Sequence, residues 1–148
     1  MTKDELIGVV KGIMGHFRDG KNQAAYEAFQ ELVQRPTFGQ LRPEEQRQAL
    51  KLLIQGKRTE LGMHRDLDPK DPLDASILSS HRAALQPLTE LVSTLSEPED
   101  FELLGMVHQR LGNLDSASSI YKAGLQIERE RSPQSDLCGA LMTRYSSV

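Results

Sequence analysis

Apolar residues that return every three or four positions constrain this chain more than any other feature. The first run is Leu6, Val9, Val10, Ile13, Met14 and Phe17, the spacing of one helix face and not the alternation of a strand. Thr2 followed by Glu5 is a capping-box pair, in which each side chain answers an amide that the first turn leaves without a partner. Gly20 then supplies the stop. A second helix is expected from about Asn22 to Gln34, with Ala25, Phe29, Leu32 and Val33 inward, until Pro36 and Gly39 break it. Pro43 suits the first turn of a third helix, because the N–H it lacks would have had no helical acceptor there. That helix carries Ala49, Leu50, Leu53 and Ile54 as far as Gly56.

Residues 57–71 read as a long polar surface connector with Pro69 inside it. Asp71-Pro72 opens a fourth helix holding Ile77, Ala84, Leu85, Leu88, Leu91, Val92 and Leu95, and Pro87 within it predicts a kink or a restart. Ser96 and Glu99 read as another capping box before a fifth helix, which Gly112-Asn113 closes. A sixth helix runs from about Leu114 to Arg131, and Ser132-Pro133 starts a seventh that ends near Tyr145. No segment reads as a strand. The expected class is all-α, built of antiparallel helical hairpins.

Composition removes several functions. At 148 residues, 38% hydrophobic and 26% charged, the chain is long enough for one domain with its own core, and it is neither disorder-like nor membrane-like. Its uncharged stretches fall far short of the ~20 apolar residues that span a bilayer. The acidic start Met1-Thr2-Lys3-Asp4-Glu5 shows no secretory leader, and the lone Cys138 suits a reducing compartment, so the expected location is cytoplasmic. A net charge of −3 without a run of Lys and Arg, and an absence of Trp, argue against a nucleic-acid partner.

Shifted by 92 positions, the chain meets itself. Met14 aligns with Met106, His16 with His108, Arg18 with Arg110, Gly20 with Gly112, Ala25 with Ala117, Phe29 with Tyr121 and Val33 with Leu125. The second copy, Phe101, Leu104-Gly105, Gly112, Ala117, Tyr121 and Gly124, resembles a tetratricopeptide repeat, in which small residues let two helices close up and large ones fill the gap between hairpins. It departs from the family at His108, where Tyr is usual, and at Arg129, where Pro is frequent. The first copy has Val9 for the aromatic and Gly12-Ile13 for Leu-Gly.

The resemblance implies a single domain over residues 1–148: hairpins at about 3–35, 43–95 and 97–131 stacked as a short right-handed solenoid, with a capping helix at about 133–146. The other fold compatible with the pattern is an irregular helical bundle with one repeat. The last helix carries Leu137, Ala140, Leu141 and Tyr145 on one side. It can cover the flank of the sixth helix or fill the concave face near Met106, and covering an array end is the expected choice.

In that family a concave groove holds a peptide or helix. The positions carried over are Val10, Met14, Phe17 and Arg18 in the first hairpin, and Gln46, Leu50, Leu53 and Ile54 in the middle one. The last hairpin supplies Glu102, Met106, Gln109 and Arg110. Met14, Leu50 and Met106 would make an adaptable stripe for an amphipathic ligand, although Leu50, Leu53 and Ile54 are equally readable as core. One subfamily clamps the acidic C-terminus of chaperones with Lys, Asn and Arg, and Val10 and Met14 stand at those positions here. Gly8, Gly12 and Gly15 line one side of the first helix, which either meets another chain or frays.

No zinc-spaced pair appears among His16, His64, His81, His108 and Cys138, and no nucleophile or phosphate-loop motif is present. Acid pairs such as Glu44-Glu45 lie in first turns, which the helix dipole already favours. The expectation is therefore a non-enzymatic adaptor without cofactor or metal, whose partner is a protein and not a membrane. A homodimer stays open. The alternatives are a small dedicated chaperone for a secreted client and, remotely, a helical enzyme.

Overall fold

A computed structural model describes residues 1–55 and 66–148. Every regular element among them is helical: α1 (Lys3–Arg18), α2 (Asn22–Gln34), a short 3-10 turn (Phe38–Gln40), α3 (Pro43–Gln55), α4 (Pro72–Leu95), α5 (Pro98–Arg110), α6 (Leu114–Arg131) and α7 (Asp136–Ser146). The all-α reading holds, and α2, α3, α4 and α6 begin where Asn22, Pro43, Asp71-Pro72 and Leu114 suggested. Part of the connector, residues 57–65 with His64, lies outside the described residues. The chain divides into two compact units, residues 1–87 and 88–148, with the boundary inside α4 at Pro87.

In the N-terminal unit, α1 starts on Thr2, whose hydroxyl accepts the Glu5 amide at 3.1 Å. It ends where Gly20 turns to φ 76°, a conformation that a Cβ disfavours. Leu6, Ile13 and Phe17 on α1 meet Ala25, Tyr26, Phe29, Leu32 and Val33 on α2 in the core. Phe17 stands edge-on to Tyr26 with ring centroids 5.2 Å apart, and its ring lies 6.1 Å from that of Phe29. Between α2 and α3 the chain buries Phe38 and Leu41. The Gln46 amide donates to the carbonyls of Gly39 and Leu41 at 3.2 and 2.8 Å, answering acceptors that the bend takes out of helical pairing.

Three aspartates build the entry to α4. Asp71 Oδ1 accepts the Asp74 amide at 3.0 Å as an N-cap, and Asp74 Oδ2 accepts the Asp68 amide at 3.0 Å. Asp68 Oδ1 takes the Lys70 amide at 2.9 Å. The restart suggested by Pro87 does not occur, and α4 runs unbroken from Pro72 to Leu95.

The C-terminal unit corrects two start signals. Ser96 does not cap α5: it adopts φ 53° and closes α4, with its amide donating to the Val92 carbonyl at 3.0 Å. Glu97 becomes the cap residue, its side chain accepting from Arg131 at 3.0 Å and not from the first-turn amides, and Pro98 takes the first turn, where its missing N–H costs nothing. Likewise α7 does not start at Ser132-Pro133. Ser135 is its cap, its hydroxyl accepting the Cys138 amide at 3.0 Å, because Ser135 has the extended backbone that a cap residue needs and Ser132, which ends α6, does not.

Two glycines set the spacing of α5 and α6. A Cβ on Gly105 would run into the ring of Tyr121, and one on Gly124 would lie 2.6 Å from Cβ of Phe101. Tyr121 and Ala117 are fully buried beneath this approach. The helix α7 packs against α6. Leu141 is fully buried and reaches 3.6 Å from where a Gly124 Cβ would stand.

Candidate functional site

The expected groove residues divide into two groups. Phe17, Gln46, Leu50, Leu53, Ile54 and Met106 are buried. Leu50 and Met106, read as two thirds of a ligand stripe, are core, and Gln46 is spent on the bend before α3. Val10, Met14, Gln109 and Arg110 keep partial exposure, and Arg18 is exposed.

Gln109 and Glu102 are already engaged within their own unit. The Tyr121 hydroxyl donates to Gln109 Oε1 at 2.9 Å, and Arg144 of α7 donates to Glu102 Oε2 at 2.8 Å. Burial pushes the Tyr121 phenol up to about 12, against the pull of the Arg144 and Arg110 cations and with some help from Glu102. Seated on α6, α7 sends a single cation to a residue of the expected peptide face.

An open surface exists elsewhere, in the N-terminal unit. Between α1 and α3 lies a groove of about 500 Å³. On the α1 side it is lined by Lys3, Leu6, Ile7, Val10 and Lys11, a run at i, i+3, i+4, i+7 and i+8 that one helix face presents together. On the α3 side Glu45, Gln48, Ala49 and Leu52 repeat that spacing, with Arg42 and Glu44 at the near end. Leu6 and Ala49 are buried, Val10 and Leu52 are half-buried, and Ile7 is 41% exposed.

Of the residues expected to bind, only Val10 lines this groove. Ile7 and Leu52 were missed because each sits one position off the buried stripe of its helix, beside Leu6 and Leu53. An apolar stripe widened by one residue at its edge is the signal that could have found them.

The rim carries charge on both sides. Arg42 and Glu44 approach at 3.7 Å with both side chains well exposed. Lys3 and Lys11 on α1 and Glu45 on α3 have no ion-pair partner among the described residues.

His81 is buried in α4, where its Nδ1–H donates to the Ile77 carbonyl at 2.8 Å. The neighbouring Ser80 hydroxyl donates to the same carbonyl at 2.8 Å. Among the described residues no three His, Cys, Asp or Glu side chains are grouped to hold a metal, and no helix is long and apolar enough to cross a membrane. No family model, no curated protein and no solved structure matches the chain.

Proposed function

We propose that this chain is a non-catalytic protein-binding module of the tetratricopeptide-repeat kind, an adaptor that holds an amphipathic segment of a partner protein between α1 and α3. The helical contacts of the C-terminal unit support the repeat assignment. Gly105 beneath Tyr121 and Gly124 beside Phe101 are four of the residues on which the resemblance rests, and they meet in pairs. The observation that carries the binding function is the α1–α3 groove: an apolar floor and walls, an isoleucine left 41% exposed, and on its edge two lysines, Lys3 and Lys11, with no ion-pair partner among the described residues. A concave, mostly apolar site with a few polar groups at its edge is the ordinary form of a binding site.

The test is recovery of a stoichiometric partner on the full tagged chain from the cells that make it, set against the Ile7→Asp variant. Ile7 is exposed enough that the variant keeps its fold, which circular dichroism checks. A charge buried under a ligand without a partner should lower recovery by about tenfold or more. Equal recovery on wild type and variant would remove the groove from the function.

A further inference from the structure

The rim of the groove selects among amphipathic segments. Lys3 and Lys11 stand eight residues apart on one helix, about 12 Å along its axis, with Ile7 halfway between them. Neither has an ion-pair partner among the described residues. Across the groove the charges are unequal, because Glu44 already faces Arg42 and, of the groove's acids, only Glu45 is without a partner among the described residues. One wall therefore offers two cations two helical turns apart, and the other offers a single anion.

Resting on the adaptor reading above, we propose that the occupant is an amphipathic helix with apolar residues at i, i+4 and i+7 and an acidic pair seven residues apart along one flank of that stripe. The apolar span of such a helix is about 10.5 Å, which matches the length of wall from Lys3 to Lys11. Its acidic pair meets the two lysines together, whereas a basic pair at the same spacing finds one glutamate. An extended strand would place alternate side chains on opposite faces and leave half of them out of the groove. The wall spacing of three and four residues is that of a helix face, and it accepts the ridge of another helix.

The probe is a fluorescein-labelled model helix carrying Leu at i, i+4 and i+7 and Glu at i+1 and i+8, with a twin that has Lys in place of Glu. Fluorescence anisotropy with the full chain at low salt should favour the Glu probe by about threefold or more, the scale of two partly exposed ion pairs. The preference should shrink in high salt, where such pairs are screened. Lys3→Glu with Lys11→Glu should invert the preference, and Ile7→Asp should weaken both probes.

Equal affinity for the twins, or no binding of either, overturns the proposal. So does a dimer that Ile7→Asp dissociates in sedimentation, since a second copy would then hold the groove. The two levels of the reading fail separately. Loss of the native partner on Ile7→Asp alongside indifference to probe charge leaves the adaptor standing and sinks the acidic helix alone.

Discussion

The helical hairpins α1–α2 and α5–α6 turn in the same way and are filled in different ways. At the first turn the amides of Asp19, Gly20 and Lys21 donate to the carbonyls of Gly15, Phe17 and His16 at 3.0, 3.1 and 2.8 Å. At the second, Leu111, Gly112 and Asn113 donate to Val107, Gln109 and His108 at 3.0, 3.1 and 2.8 Å. Every donor and acceptor is displaced by 92 positions, and both glycines are left-handed, at φ 76° and 84°. The cores do not follow. Where α5 and α6 have Gly105 and Gly124, the residues 92 positions earlier are Ile13 and Leu32, both buried. The N-terminal hairpin fills its interior with Phe17, Tyr26 and Phe29 and has no glycine notch at those positions. A turn is fixed by one residue's backbone freedom, while a core only has to fill its volume.

The sharpest way to break this contrast is to put a methyl group where each hairpin has glycine. Gly105→Ala sets a Cβ against the ring of Tyr121, which is fully buried and has its hydroxyl bonded to Gln109. Overpacking of this kind costs about 1–3 kcal/mol. It outweighs the ~1 kcal/mol that Ala gains over Gly in a helix, so the variant should melt lower. Enlarging the gap with Tyr121→Leu in the same chain should make the added methyl less costly. An unchanged or raised melt for Gly105→Ala alone would mean that α5 and α6 are not held at this spacing by the glycine.

The same substitution on α1 should act in the opposite direction, with a smaller effect. A Cβ on Gly12 meets nothing within 4 Å, and the residue is exposed. Gly12→Ala should therefore stabilise the chain by about 0.5–1 kcal/mol, through helix propensity alone. If urea denaturation finds it destabilising, that side of α1 is occupied by another chain in solution, which is the other reading of the Gly8, Gly12 and Gly15 stripe.

How far the sequence reaches follows from the same pair of hairpins. Helix positions were legible because periodicity and the Gly or Pro that ends each run are local properties. The α5–α6 contacts were legible because small residues on each helix stand opposite large ones on the other, as Gly105 does to Tyr121 and Gly124 to Phe101. Two starts were misread for a local reason. Ser96 and Ser132 each carry an oxygen able to cap a helix, but the cap goes to whichever residue the neighbouring element leaves extended. The proposed binding surface was the least legible feature. Exposure of Ile7 and burial of Leu50 depend on which helices stand beside them, and spacing along one helix does not contain that. Tyr26 and Phe38 joined the core unannounced for the same reason, Phe38 from inside a Pro and Gly break.

The smallest expected effect separates the two turns by a side chain that they share. His16 and His108 occupy equivalent positions, yet only His108 has a side-chain partner among the described residues, with Asn113 Nδ2 3.2 Å from its Nδ1. An amide N–H can be accepted there only while that ring nitrogen is unprotonated. Partial burial also lowers the His108 pKa below its ordinary 6.5. The sign follows from proton linkage. As pH falls below 6.5, the unfolded chain takes up the proton first, so the folded state loses stability until the folded pKa is passed, and the loss then levels off. Above 6.5 this residue adds no pH dependence. His108→Gln keeps an acceptor near Asn113 and removes the titration, while the carboxylates that protonate in the same range remain common to both proteins. The difference in melting temperature between wild type and His108→Gln should therefore move against the wild type as pH drops from 7.5 to 5. Parallel melting curves over that range, or an NMR titration midpoint for His108 at or above 6.5, would show that its ring is not desolvated and that the two turns are equivalent after all.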